Sequence, residues 1–563
     1  MIGLISATAA GAAARDRLAA SWPDRTRVYD GPVADAVRRA FAECDQLVCF
    51  LATGAVVRLV APLLCGKAAD PGVVCVDEAG RFAVSLLGGH GGGANELARE
   101  VGELLGAEPV VTTATDAVGV PGLDTLGFPV EGNVAGVTRA LLDGEPVSLH
   151  TDVPWPLPPL PVAPGGTYAI RLTDRAVEHT EHEVVLRPPS LVVGVGASKG
   201  APVDEVLGLV EGVLREAGLS AQSVAELATV DAKADEPGII GAAERLGVPV
   251  VTYSAAELAA VEVPNPSDAP LAAVGTPSVA EAAALVRGGE LLVPKRKSER
   301  ADGQPARATC AVVRRAARGR LAVVGLGPGA RDLLTPRAKE ELRRASVLVG
   351  LDQYVDQIRD LLRPGTRILE SGLGAEEERA RTAVAEARRG QAVALIGSGD
   401  AGVYAMASPA LAEASDDIDV VGVPGVTAAL AAGAILGAPL GHDHVSISLS
   451  DLHTPWEVIE RRVRAAAEAD IVVTFYNPRS RGRDWQLPKA LAILAEHREP
   501  TTPVGVVRNA SRPDESRLLT TLAGLDPAVV DMMTVVTVGN TATREIAGRM
   551  VTPRGYRWQE EPK

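Results

Sequence analysis

An α/β fold divided among several domains is what this sequence predicts, and three observations predict it. The chain has 563 residues, more than one hydrophobic core accommodates, so two to four domains are expected. Hydrophobic residues make up 47% of it but aromatic residues only 3%. Alanine and valine supply much of the apolar content, which suits short strands packed on small-residue helices. Apolar runs of strand length repeatedly end in glycine and small polar residues just before a helical pattern, as at a ligand crevice along the carboxyl edge of a sheet.

The opening MIGLISATAAGAAAR is apolar but lacks the basic start of a signal peptide, so it reads as a strand entering a helix. QLVCFLA (46–52) and GVVCVDE (72–78) read as strands and GANELAREVGELLGA (93–107) as an amphipathic helix. PWPLPPLPVAPGG (154–166) has six prolines in its first eleven residues. It is excluded from helices and central strands and is expected to be a stiff extended connector. LVVGVGAS (191–198), DEVLGLVEGVLREAG (204–218) and VAELATVD (224–231) then read as strand, helix and strand. This alternation predicts parallel sheets joined by crossover helices. A polar break, KSERADGQPAR (297–307), precedes the apolar strand ATCAVV, and a new α/β pattern begins near Arg320. The long weakly polar run VTAALAAGAILGAPLG (426–441) is too short and too interrupted to cross a bilayer. A soluble cytoplasmic protein without membrane contact is expected.

A net charge of −15 argues against nucleic acid as a partner, since KRKSER (295–300) is the one basic run. That run reads as electrostatic capture of an anionic ligand or as a charged linker. Five cysteines without a CxxC spacing argue against a disulfide framework or a structural zinc site. The clusters HTEH (179–182) and GHDH (441–444) lack helical i,i+4 pairs and accompanying cysteines, so no resident metal is expected.

VVGLGPGARDLLTP (323–336) brings three glycines, Gly325, Gly327 and Gly329, to the end of an apolar run. The spacing is GxGxG, and Pro328 removes an N–H, so the loop cannot wrap a pyrophosphate as a dinucleotide fingerprint does. Similar strand ends follow at GSGDAGVY (397–404), VPGVTAAL (423–430), VTFYNPRS (473–480) and VTVGNTATRE (537–545). Together, GLGPGARDLLT, GSGDAGVYAMA, VPGVTAA, FYNPRS and VGNTATR resemble the tetrapyrrole methyltransferases, in that family's order. SGDAGVYAMA with FYNPRS most resembles the precorrin-3B C17-methyltransferase branch. GARD stands where GDxD or GxxD is common, a small departure. The resemblance implies a two-domain fold over residues 319–556 with the active site in the inter-domain cleft, S-adenosylmethionine as cofactor, a tetrapyrrole substrate and a homodimer. It implies cofactor contacts at Gly399, Asp400, Val403, Met406, Thr427, Ala428, Tyr476 and Thr541. It also implies that Gly325, Gly327, Pro328 and Gly329 face the macrocycle. Methyl transfer to carbon needs alignment and a base, for which Asp332, Asp451 and His453 are candidates.

In the first half, GGHGGGANELA (88–98) places His90 among glycines before a helix. It reads as a flexible strand-to-helix loop or as an oxyanion site with an imidazole. LATGAVVRLVAPLL (51–64), DPGVVCVDEAGRFAVSLLGGHGGGANELA (70–98) and VVTTATDA (110–117) resemble the cobalt-precorrin-5A hydrolases, as do GVGASKGAPVDEV (194–206), LATVDAKADEPGI (227–239) and VPKRKS (293–298). Segments 1–120, 121–190 with the proline connector, and 191–315 are expected as the parts of this half. The resemblance implies opening of a lactone with release of acetaldehyde. His90 is the candidate base, with the glycine-loop amides as oxyanion donors. Asn95, Lys199 and Lys233 are candidate substrate contacts, with Asp231 beside them. The chain is thus expected to be a bifunctional enzyme of corrin-ring construction. The rival readings are a methyltransferase of the same fold acting on RNA or protein, and a first half that only binds tetrapyrrole.

Overall fold

The apolar runs fall into place as strands in two compact units of a computed structural model, residues 1–317 with 363–365 and residues 318–362 with 366–563. The structure describes residues 1–66, 69–267, 271–272, 275–299, 305–315, 317–480 and 482–555.

In the first unit, β1 (Ile2–Ser6), β2 (Thr26–Val28), β3 (Gln46–Phe50), β4 (Gly72–Val76), β5 (Phe82–Leu87) and β6 (Glu108–Val110) form a sheet in the order β2-β1-β3-β4-β5-β6. Thr8 starts the helix Ala9–Ser21 by accepting a hydrogen bond from Gly11 N–H. β1 to β4 are parallel, but β5 returns antiparallel to β4. The expectation of a parallel sheet therefore fails at this pair. Five residues, DEAGR, separate the two strands; Asp77 accepts from the Arg81 and Phe82 amides and Gly80 takes φ +64°. A connection that short can only reverse the chain.

The next sheet has the order β7-β10-β9-β8, with β7 (Val130–Gly132), β8 (Val147–Thr151), β9 (Tyr168–Leu172) and β10 (Glu183–Leu186). The proline stretch is extended, yet it joins β8 to β9, neighbours in this one sheet. Leu157 and Leu160 bury their side chains in the core under it. It is thus a packed crossover. A third sheet, ordered β13-β12-β11-β15-β14, contains β11 (Leu191–Ala197), β12 (Val224–Val230), β13 (Val250–Tyr253), β14 (Glu290–Lys297) and β15 (Ala308–Arg314). β15 runs antiparallel to both neighbours, another departure from all-parallel pairing. The basic run begins inside β14, an edge strand, where lysine and arginine discourage pairing with other chains. Arg300, in that run, and residues 301–304 of the polar break lie outside the described residues.

In the second unit, β16 (Arg320–Gly325), β17 (Val347–Leu351), β18 (Arg367–Ser371), β19 (Ala392–Gly397) and β20 (Asp419–Val423) form an all-parallel sheet ordered β18-β17-β19-β16-β20. Its three central strands, β17, β19 and β16, are almost wholly apolar because helices cover both faces. The chain then crosses to a second lobe. β21 (Gly437–Ala438) lies in a small ribbon completed at the chain's end. The sheet β22-β23-β26-β24-β25 comprises β22 (His444–Ser448), β23 (Val472–Tyr476), β24 (Pro503–Arg508), β25 (Ser516–Thr521) and β26 (Thr534–Val538). Only β22 and β23 are parallel here; β26 runs against β23 and β24.

Two sheets of the first unit are tied by a buried ion pair. Asp174 is fully buried and receives Arg314 through two nitrogens at 2.6 and 2.8 Å, with the Ser190 hydroxyl donating at 2.9 Å. Arg314→Ala leaves that carboxylate unpaired and is expected to cost about 3 kcal/mol. The check is the shift of the first unit's denaturant midpoint at unchanged slope.

Candidate functional site

The strand ends of the second unit meet through backbone. Gly327 and Gly399 exchange two N–H···O hydrogen bonds at 2.9 and 2.8 Å, both with positive φ. A Cβ on Gly425 would sit 2.1 Å from the Gly399 carbonyl oxygen, and one on Gly325 would be 2.8 Å from the same oxygen. These positions require glycine because three loops lock into one another there. Asp400 ties the lock together, one oxygen accepting from Gly402 N–H at 2.8 Å and the other from Gly425 N–H at 3.0 Å. Its carboxylate therefore shapes the loops before it can meet any ligand.

Thr427 and Ala428 begin the helix Ala428–Leu436 directly against Gly399. The Thr427 hydroxyl hydrogen-bonds the Tyr476 hydroxyl at 2.5 Å, and Ala429 N–H donates to the same oxygen at 2.8 Å. Burial pushes the Tyr476 phenol above its ordinary pKa. The Ala428 amide has no partner among the described residues. Tyr404, beside Val403, holds φ +52° and donates its hydroxyl to the Ser446 carbonyl; its ring centroid lies 5.3 Å from that of Tyr476. A strained non-glycine backbone joined to an aromatic pair across two lobes is an arrangement often kept for function. Met406 is buried in the core of the first lobe, so it supports the loop from behind.

Thr541 does not join this group. β26 is antiparallel to β23, so Val538 and the VGNTATR segment leave the sheet at the amino end of β23, opposite Tyr476. There the Thr541 amide donates to Asp470 at 3.0 Å, and Asn540 donates to the Asp470 carbonyl. Arg498 donates to the carbonyls of Gly539 and Ile471, and burial pushes its guanidinium down to about 10. The expectation that all five strand ends line one crevice is corrected: this segment is a structural clasp. The same reversal brings the end of β24 to Tyr476's edge, with Asn509 and Ser511 both at positive φ. Sequence reading missed this NASRP loop, although turn formers after VGVV were the available signal.

Asp451 is half-buried and accepts from Gln486 at 3.0 Å, on the loop leaving β22 at Tyr476's edge. His453 is exposed on the same loop. Asp332 is exposed in the turn Arg331–Leu333.

In the first unit, His90 is one member of a connected network. Its Nε2 lies 2.6 Å from the Thr115 hydroxyl and 3.5 Å from Asp116 Oδ2. Asp116 also receives Thr113, Asn95 and Arg99. Burial works against its ionised form, but the Thr113 hydrogen bond and the Arg99 and His90 charges outweigh it and hold its carboxyl below the ordinary 3.8. Asn95 is 4% exposed; Ser85 donates to its oxygen, and its nitrogen donates to Thr113 and Asp116. Asn95 thus positions Asp116, which corrects its expected role as a substrate contact. Part of the glycine loop is also committed: the amides of Gly92, Gly93, Ala94 and Asn95 donate to carbonyls of residues 88–90, so these four are not free oxyanion donors. A cavity of about 400 Å³, lined by Leu64, Cys65, Gly66, Asp70, Leu87 and Gly88, opens beside this loop.

Lys199 and Lys233 come to one edge, the carboxyl ends of β11 and β12. Lys199 is exposed; Lys233 pairs with the buried Glu236 at 3.7 Å, and Glu236 also accepts from Gly200 N–H at 2.6 Å. Arg307 donates to the carbonyls of Lys199 and Gly200 at the same edge. Among the described residues no group of three or more His, Cys, Asp or Glu is arranged to hold a metal ion. No helix among them is long and apolar enough to cross a membrane.

The family model of the tetrapyrrole (corrin/porphyrin) methylases matches residues 320–526, and those of the cobalamin synthesis G N-terminal and C-terminal regions match 35–116 and 191–313. The chain is 46% identical over 239 residues to a probable cobalt-factor III C(17)-methyltransferase of Salmonella typhimurium, spanning 42% of this chain and 99% of that protein. It is 42% identical over 250 residues to a precorrin-3B C(17)-methyltransferase of Sinorhizobium sp, spanning 42% and 97%. Against the cobalt-factor III methyltransferase of Priestia megaterium identity is 42% over 246 residues, 42% of this chain and 45% of that protein. The chain belongs to the tetrapyrrole methylases, and its residues 35–116 and 191–313 are similar to the two regions of the cobalamin synthesis G family.

The Asp116 network makes a pH signature. A carboxyl whose folded-state pKa is depressed stabilises the fold above its unfolded value and loses that contribution as pH falls through the folded one. The stability gap between wild type and Asp116→Asn is expected to narrow as the solution is acidified below 3.8. Urea unfolding across that range checks it.

Proposed function

We propose that this chain is a bifunctional enzyme of cobalamin biosynthesis. On this reading the second unit transfers a methyl group from S-adenosylmethionine to C17 of precorrin-3B or its cobalt counterpart, with ring contraction. The first unit opens the lactone of cobalt-precorrin-5A and releases acetaldehyde. The observation that carries the methyltransferase assignment is the meeting of Gly399, Asp400, Thr427 and Ala428, at the carboxyl edge of the first lobe's sheet, with Tyr476 from the second lobe's sheet. That site fits a compact nucleoside carrying an amino-acid tail: it offers an unpartnered amide at Ala428 and the Tyr404 and Tyr476 rings. When bound, the cofactor supplies a methyl already activated on sulfonium. The chain's part is to hold the accepting carbon in line with it. Asp451, steadied by Gln486, is the base this reading favours for the ring proton.

In the first unit, the ionised Asp116 beside Nε2 favours the tautomer of His90 that carries its proton there. Nδ1 then keeps a lone pair and takes a proton from water as the oxygen adds to the lactone carbonyl. The ring C–O bond breaks to give a carboxylate and a hydroxyl; the hydroxyl then gives up its proton as the bond from its carbon to the macrocycle breaks, the electron pair stays on the macrocycle and is protonated there, and the two-carbon fragment leaves as acetaldehyde. Lys199 and Lys233 attract the macrocycle's peripheral carboxylates. The protein acts in the cytoplasm, and the methylase unit pairs with a second copy.

Mass spectrometry of products tests both halves. The full chain with S-adenosylmethionine is expected to add one methyl to cobalt-factor III or precorrin-3B, and to release acetaldehyde from cobalt-precorrin-5A. His90→Ala is expected to lower acetaldehyde release by roughly 100-fold or more while methyl transfer is unchanged. Undiminished release removes His90 from the chemistry, and a macrocycle of unchanged mass removes the methyltransferase assignment.

A further inference from the structure

Arg512, on the loop after β24 in the second lobe, reaches the glycine loop of the first. Its Nε donates to the Pro328 carbonyl at 2.9 Å. The nearby Ser511 hydroxyl accepts from Ala330 N–H at 3.3 Å, which fixes the same two loops together. Gly329, at φ +148°, makes room for the arginine: a Cβ there would lie 2.7 Å from Arg512 Cγ and 3.0 Å from Nε. The last glycine of the GxGPG loop is therefore explained by the arginine that passes over it.

Neither terminal nitrogen of Arg512 has a partner among the described residues, although Nε is held. The guanidinium acts electrostatically on the half-buried Tyr354. A second arginine, Arg379, also acts on Tyr354, but it is committed to Ser371, the Gly372 carbonyl and Glu376. The neighbouring acids are committed as well: Asp514 takes Asn509 and Arg508, and Glu515 takes the Ser511 amide. A guanidinium anchored at Nε with its other two nitrogens open is preorganised for two parallel hydrogen bonds to a carboxylate.

We propose that Arg512 is a specificity-determining residue of the methyltransferase unit, gripping one peripheral carboxylate of the macrocycle and so setting which ring carbon faces the methyl donor. This rests on the tetrapyrrole reading above. Arg512→Gln keeps an N–H for the Pro328 carbonyl but removes the charge and the fork. Arg512→Lys keeps the charge alone. Gly329→Ala displaces the arginine without removing it.

The test uses the full chain, with S-adenosylhomocysteine, an octacarboxylic porphyrin as a stable macrocycle, and cobalt-factor III as substrate. Arg512→Gln and Gly329→Ala are expected to weaken porphyrin binding and raise the KM for cobalt-factor III by roughly 10- to 100-fold, with Arg512→Lys between them and wild type. Affinity for S-adenosylhomocysteine should stay within about twofold, since the interlocked loops remain. Unchanged macrocycle binding and KM in Arg512→Gln overturns the proposal. So does a parallel loss of S-adenosylhomocysteine affinity in all three variants, which marks a merely structural clasp. A wild-type chain that binds porphyrin through Arg512 yet methylates nothing removes the assigned reaction while the carboxylate grip stands. A chain with no Arg512-dependent affinity for either macrocycle removes the grip itself.

Discussion

Backbone touching backbone is the constraint on which the methyltransferase unit depends. Three strand ends from one parallel sheet converge, and side chains would hold them apart. Glycine at 325, 399 and 425 lets the loops interlock, and the Gly327–Gly399 pair satisfies its own N–H and C=O groups in doing so. Asp400 adds two further amides to that lock. The start of the helix Ala428–Leu436, the Tyr476 hydroxyl and the Tyr404 ring are all placed relative to this knot.

The first unit solves a similar problem with side chains. An ionised carboxylate partly removed from water needs donors, and Asp116 has four nearby groups that supply them: Thr113, Asn95, Arg99 and His90. Asn95 is fixed in turn by Ser85 from β5, so the orientation of the imidazole is set from the sheet outward. The glycines of GGHGGG have a different task. Gly88 and Gly92 press against the Gly72 backbone, and the Gly92 amide donates to the Gly88 carbonyl to close the loop on itself.

Much of the architecture was legible because local signals were strong. The apolar runs at 46–50, 72–76, 191–197 and 392–397 are strands as their composition demands, and the amphipathic segments 94–105 and 203–216 are helices. Strand direction was less legible. Crossover helices announce parallel pairs, but β5, β15 and β26 pair with neighbours that run the other way. For β15 and β26 nothing in their own residues says so. That ambiguity moved Thr541 to the wrong end of its sheet in the sequence reading and hid the NASRP loop.

The sequence by itself determined the family, the run of glycine-bearing strand ends and the candidacy of His90, because these rest on residue types in a fixed order. Only the tertiary structure decided which of those residues serve a ligand and which serve the fold. Asn95 and Asp400 are polar residues in motif positions, yet their atoms are occupied by neighbouring protein groups. Arg512 lies outside every motif and has two nitrogens open among the described residues. A hydrogen-bond donor or acceptor is available to a ligand only after partners distant in sequence have taken their share, and that is settled when the chain folds.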